Sequence, residues 1–254
     1  MIYWNGCSFV RGMEVNNHSK RFAWRVSNHY DTPMINSAKV GGGNDRIWRV
    51  VINEVPIFYN PKLVILVWSG INRMEYLNWF PKKKTARWKS ANWTTFKWHQ
   101  RTLDIHTDST VVKHPEDTPD TWKGLQMYMT HVRNLKYCLI YSLHYMYTTN
   151  VYLKALGIPT LNYIMSNTQI NKTLWTLDQR FEESANIIWQ ANQLGSEEWL
   201  KRLPWLKEEG FYDMCKREGA PFGPKDHPLK EGHELMANRI IGDIEKNGFH
   251  KALI

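Results

Sequence analysis

Four short stretches of this chain combine residue types suited to acyl transfer. Gly6-Cys7-Ser8-Phe9 places a serine in a tight turn directly after a short apolar segment. A serine held this way presents its hydroxyl and its own backbone N–H to one point, which suits attack on a carbonyl. In Asn36-Ser37-Ala38-Lys39-Val40-Gly41-Gly42-Gly43 a glycine N–H can approach a ligand closely. That run lacks the Lys-Ser/Thr of a phosphate loop and the spacing of a dinucleotide fingerprint, so a nucleotide is not the expected ligand. Ser69-Gly70-Ile71-Asn72-Arg73 offers a side-chain amide, Asn72, as an oxyanion donor. Lys225-Asp226-His227-Pro228 sets a histidine ahead of the final helical segment, where it can serve as a general base. Taken singly, each has a bland counterpart: a common Gly-x-Ser turn, a capping Asn, a surface His.

Residues 1–5 read as a strand that enters the Gly6 turn. A poorly patterned helix is expected at about 17–29 and a second buried strand at 33–38. Asn44 is a good N-cap for the helix that follows. Ile47, Val50, Val51 and Val55 recur there at helical spacing, and Pro56 should close it. Leu63–Trp68 is an unbroken apolar run, the pattern of a strand buried on both faces of a parallel sheet. A Trp-rich, basic stretch at about 78–121 has weak periodicity and reads as a long insertion. Helix is expected at about 122–156, 178–194 and 196–202, with a strand at 160–165 between the first two. The last helix should span about 229–246, with Met236, Ala237, Ile240, Ile241 and Ile244 facing inward.

This alternation implies one α/β domain over residues 1–254. The expected architecture is a three-layer sandwich: a parallel, flavodoxin-like sheet, helices on both faces, and a long insertion after the third strand. Sites in such sheets lie beyond the carboxyl ends of the strands, where the four stretches fall.

In order and spacing the four stretches resemble the blocks of the SGNH (GDSL-like) hydrolases. Gly6-Cys7-Ser8 is similar to their GDS turn, Asn36 to Gly41 to the second block, Gly70-Ile71-Asn72 to the third and His227-Pro228 to the last. In motif style the chain looks most like SGNH proteins of phage and environmental genomes. The resemblance implies an ester hydrolase with Ser8 as nucleophile and His227 as base. The oxyanion donors would be the Ser8 and Gly41 N–H groups and the Asn72 amide. It implies acetyl or other short acyl esters as substrates, a glycan ester among them.

Three positions depart from the pattern. The family acid lies three residues before the histidine, where this chain has Pro224. Asp226 is the favoured substitute, with a backbone carbonyl or another acid such as Asp213 as alternatives. Arg73 replaces an Asp after the third block; it is expected to pair with Glu75 or to bind an anionic substrate group. Cys7 replaces the GDS Asp and reads as a small buried residue beside the nucleophile, a thiol nucleophile being the sharper alternative. These departures keep a second function open: an inactive SGNH-like binding or structural module, virion-associated if the source is viral.

The chain has 254 residues, a formal net charge of +9 and 43% hydrophobic residues, enough for a large packed core. The Lys and Arg residues are spread along it, so nucleic acid is a distant candidate partner despite the charge. No apolar run reaches the roughly 20 residues a membrane span needs. No secretory leader is evident at Met1, and the expected setting is the host cytoplasm, or the virion if the source is viral. Three cysteines define no disulfide framework. Trp79, Trp88, Trp93 and Trp98, interleaved with Lys and Arg, are candidate sugar-stacking residues or the packing face of a lid. His99, Asp104, His106, Asp108 and His114 match no metal-ligand spacing, and no metal or cofactor is expected. His233 falls on the inward face of the last helix and reads as a satisfied buried histidine.

Overall fold

A computed structural model describes residues 1–71, 73–80, 85–92, 96–97, 106–107, 135–166 and 201–253. Its centre is a parallel sheet of β1 (Ile2–Gly6), β2 (Met34–Asn36), β3 (Leu63–Trp68) and, later in the chain, β8 (Thr160–Ile164). The spatial order is β2-β1-β3-β8, with Ile2 paired to both Met34 and Leu63, and Val64 paired to Thr160. β1 and β3 lie inside the sheet and all their residues are buried, as the unbroken apolar run of β3 requires. β2 departs from the expectation of a buried strand. It is three residues long and half-buried, because it forms the sheet edge.

Side chains alternate between the two faces, as strand geometry dictates. Ile2 and Trp4 of β1 and Leu63, Ile65 and Val67 of β3 pack with Phe22 and Val26 of α2 (Phe22–His29). Phe211 and Met214 of α5 (Phe211–Arg217) and Met236, Ile240 and Ile244 of α6 (Lys230–Lys246) complete that layer. On the other face Tyr3, Val64, Leu66 and Trp68 meet Ile47, Val51 and Val55 of α3 (Asn44–Phe58). Leu139, Leu143 and Met146 of α4 (Leu135–Ala155) join them there. Two cores, one on each side of the sheet, make the three layers. Burying a large apolar side chain stabilises by about 1.5–3 kcal/mol, so these layers dominate the folding energy.

Several local elements differ from the expected ones. Segment 17–29 is a 3-10 turn at His18–Lys20, started by Asn17 accepting from the Ser19 N–H, followed by α2. Gly43, not Asn44, is the N-cap of α3. Asn44 is buried and staples the layers together. Its Oδ1 accepts from the Ser69 N–H at 2.7 Å, and its Nδ2 donates to Ser69 O and Ser142 Oγ, both at 3.1 Å. Pro56 lies inside the last turn of α3, which continues to Phe58. Helix α5 is an addition to the expected elements. The expected helix over 178–194 and the first part of 122–156 fall outside the described residues.

After β3 comes an antiparallel hairpin, β4 (Arg73–Phe80) and β5 (Thr85–Asn92), which lies outside the main sheet and runs into the stretch expected as an insertion. Two short paired strands follow, β6 (Phe96–Lys97) and β7 (His106–Thr107). The hairpin is fastened to the start of α3. The Glu75 N–H donates to Asp45 Oδ2 at 2.6 Å, and the buried Glu75 carboxylate takes Arg49 Nη2 at 2.6 Å. Its Oε1 makes no hydrogen bond and lies 3.7 Å from Arg46 Nε. The expected Arg73–Glu75 pair is thereby replaced. Arg73 instead donates to Ser69 Oγ at 3.0 Å.

Candidate active site

The serine turn stands at the carboxyl end of β1. Gly6 is required there, because a Cβ would lie 2.8 Å from the Val67 carbonyl oxygen and 2.5 Å from Val10 Cγ2. Asn5 Oδ1 accepts the Gly6 N–H at 2.8 Å and holds the strand end. Cys7 then caps a one-turn helix, α1 (Ser8–Arg11), which puts Ser8 at its first position. An N–H at that position has no partner within the helix and is available to a ligand. Ser8 is only 2% exposed. Cys7 is fully buried with its thiol 3.8 Å from the Met165 thioether, a packing contact.

The glycine loop closes against the same strand end. The Lys39 N–H donates to Gly6 O at 3.2 Å, and the Gly42 N–H to Lys39 O at 3.0 Å. Residues 39–42 therefore form a β-turn whose third residue is Gly41, with φ +75. That is the type II pattern, which needs glycine at this position. Asn36 ties the loop to the serine helix: its amide donates to Val10 O at 3.0 Å and its Oδ1 accepts from the Ala38 N–H. Arg46 adds a second tie, donating to Ser37 O at 3.0 Å. Asn72, the third predicted oxyanion donor, lies outside the described residues, between buried Ile71 and Arg73.

His227 comes from the loop between α5 and α6. This loop is a tight hairpin: Gly223 N–H donates to His227 O, Asp226 N–H to Gly223 O, and Phe222 bridges Pro228. Pro224 occupies the first corner of the 223–226 turn, a position its fixed φ favours. His227 Nε2 faces Ser8 Oγ at 2.7 Å, across 219 residues of sequence. The ring of Phe9 packs beside the imidazole, centroids 5.5 Å apart.

The other ring nitrogen does not meet Asp226. His227 Nδ1 lies 3.2 Å from Oε2 of Glu14, a residue that is not among the sequence candidates. Asp226 has left-handed backbone (φ +58) and a 62% exposed side chain. Its carboxylate accepts from the Tyr212 hydroxyl at 2.7 Å and from Lys216 at 3.4 Å. Asp226 and His227 are sequence neighbours, and the turn sends their side chains apart. Asp213 accepts from Ser166 Oγ at 3.2 Å. The Glu14 carboxylate also receives the backbone N–H groups of Lys225 (3.0 Å) and His227 (3.2 Å). Desolvation pushes its pKa up. The two backbone hydrogen bonds and the contact with His227 outweigh that and hold it below the usual carboxylate range.

The remaining sequence candidates are dispersed. The backbones of Trp79 and Trp88 belong to the hairpin, opposite Ala86 and Leu77 respectively. Trp93 and Trp98 lie outside the described residues, as do His99, Asp104, Asp108 and His114. No group of three or more metal-ligating side chains occurs among the described residues. None of the described helices is long and apolar enough to cross a membrane. His233 is buried as expected. Its Nδ1 accepts the Phe22 N–H at 3.1 Å, and its pKa is pushed down to about 3, first by burial and then by Arg21, Arg25 and His227.

The structure thus brings a serine, a glycine turn and a histidine to one end of a parallel α/β sheet. Among solved structures the chain is similar to the esterase EstA of Pseudoalteromonas sp., at 11% identity and TM-score 0.47 over 96% of both chains. It is also similar to a G-D-S-L family lipolytic protein of Veillonella parvula, at 12% identity and TM-score 0.43 over 95% of this chain and 96% of that one. A third likeness is to the acetyl xylan esterase Est2A of Butyrivibrio proteoclasticus, at 11% identity and TM-score 0.45, over 98% of this chain and 64% of that one. No family model matches the chain, and a search of curated proteins finds no match. These likenesses are loose, and what the site can do follows from its own geometry.

Proposed function

We propose that the protein is a serine ester hydrolase acting on acetyl or other short acyl esters, with a carbohydrate O-acetyl group as the favoured natural substrate. The observation that carries this reading is the 2.7 Å contact between Ser8 Oγ and His227 Nε2, at hydrogen-bond distance for general-base activation. Ser8 Oγ attacks the ester carbonyl carbon while its proton passes to Nε2. The tetrahedral oxyanion is held by the Ser8 and Gly41 N–H groups. Collapse breaks the ester C–O bond, and His227 returns the proton to the leaving alcohol. Water then attacks the acyl-Ser8 ester with His227 again as base, releasing the carboxylic acid and free Ser8.

p-Nitrophenyl acetate turnover tests the reading. The wild-type protein hydrolyses it, and Ser8→Ala and His227→Ala each lower kcat by at least about 10³-fold. Turnover that persists in both variants would remove Ser8 and His227 from the chemistry. The acyl preference follows from comparing acetyl, butyryl and octanoyl esters, with acetyl fastest.

A further inference from the structure

We infer that Glu14 is the residue that positions His227, so that the acid partner comes from the nucleophile's own loop and not from the loop of the base. This inference rests on the Ser8–His227 reading above.

Three observations carry it. First, Glu14 Oε2 lies 3.2 Å from His227 Nδ1, with both side chains largely buried, 11% and 13% exposed. An acceptor there fixes the tautomer with the proton on Nδ1, which leaves Nε2 free to take the serine proton. Second, the base's loop is wrapped around this carboxylate. Lys225 and His227 both point their N–H groups at it, and a Cβ on Gly223 would lie 2.6 Å from Glu14 Oε1. Third, Glu14 has left-handed backbone, φ +66, uncommon for a residue with a long side chain and concentrated at functional sites. The loop after α1 sets this conformation, with Met13 N–H on Ser8 O and Val15 N–H on Gly12 O. The acid is thus built onto the same turn as the nucleophile. The alternatives are occupied elsewhere: Asp226 by Tyr212 and Lys216, Asp213 by Ser166.

In the reaction Glu14 gains and loses no proton. It accepts the Nδ1–H bond throughout, and its negative charge faces the imidazolium that forms when Ser8 attacks. The charge of His227 also bears on His233, which burial keeps neutral.

The test compares Glu14→Gln with Asp226→Asn in the full chain. The amide oxygen introduced by Glu14→Gln can still accept the Lys225 and His227 N–H groups, so the loop keeps its acceptor while the charge is lost. With p-nitrophenyl acetate, Glu14→Gln should lower kcat by about 10- to 100-fold with KM within about twofold, and move the acid limb of the pH–rate profile to lower pH. Asp226→Asn should remain within about twofold of wild type. Nitrogen-15 NMR of the neutral imidazole gives a second readout that needs no turnover. His227 should carry its proton on Nδ1 in the wild type and lose that preference in Glu14→Ala. Wild-type kcat in Glu14→Gln, with loss in Asp226→Asn, would overturn the assignment and leave the esterase reading standing. A wild-type protein without turnover, whose Nδ1–H tautomer still depends on Glu14, would overturn the esterase reading and support the pairing.

Discussion

At the scale of single residues, the site depends on close approaches that only small side chains allow. Gly223 lets the Glu14 carboxylate lie beneath the base's loop, and the neighbour a Cβ would strike is the end of a flexible side chain. Gly223→Ala should therefore fold and expel the carboxylate, reproducing the kcat loss of Glu14→Gln. Near-wild-type turnover in Gly223→Ala would show that the pocket tolerates both groups. Ser8, Gly41 and His227 stand out in the sequence through their residue types together with the resemblance of their order to the SGNH blocks. Glu14 is not. It matches no spacing to either Ser8 or His227, and it reaches the imidazole only through a left-handed backbone and a hairpin that no local pattern encodes. Two hints are present: an acid soon after the glycine that ends the serine turn, and a proline where the usual acid would stand. Asp226 fails as the partner because adjacency in sequence is not adjacency of side chains.

At the scale of elements, α6 supplies a buried histidine that accepts from the first turn of α2. Its depressed pKa gives a signed prediction. His233 titrates near 3 in the fold and near 6.5 in an unfolded chain, so between those values the unfolded state binds the extra proton. The contribution is complete above about pH 6.5 and is lost as pH falls toward 3, at about 1.4 kcal/mol per pH unit. Urea unfolding at pH 6.5 and pH 5 should show the stability of wild type relative to His233→Gln shrinking by about 2 kcal/mol. A difference independent of pH would contradict a neutral His233. The hairpin β4–β5 gives a second test. Removing the Glu75 carboxylate takes away the anion shared by Arg46 and Arg49 of α3, and Glu75→Ala should cost about 3 kcal/mol by urea unfolding, the lower end for a broken buried pair because Arg49 is partly exposed. A loss within about 0.5 kcal/mol, the usual range of surface substitutions, would mean that the hairpin is not anchored there.

At the scale of the whole molecule, the order of strands and helices is readable because a parallel sheet writes itself plainly. β3 is a run of six apolar residues, and α6 keeps its inward face along its whole length. What is not readable is where edges and ends fall. β2 is short because it has one neighbour, α3 outruns its proline, and the hairpin begins directly after Asn72. These are settled by tertiary contacts, not by local propensity. The sheet brings to one end residues 219 positions apart, Ser8 and His227, and with them the Glu14 loop.

If Ser8 is an activated nucleophile, intact-protein mass spectrometry after exposure to a fluorophosphonate reads that activation without any substrate. A single phosphonyl adduct, mapped to Ser8 by peptide digestion, should form in the wild type, be missing from Ser8→Ala and form slowly in His227→Ala. An adduct that forms equally in Ser8→Ala, or a wild-type protein that stays unmodified, would rule out Ser8 as the nucleophile.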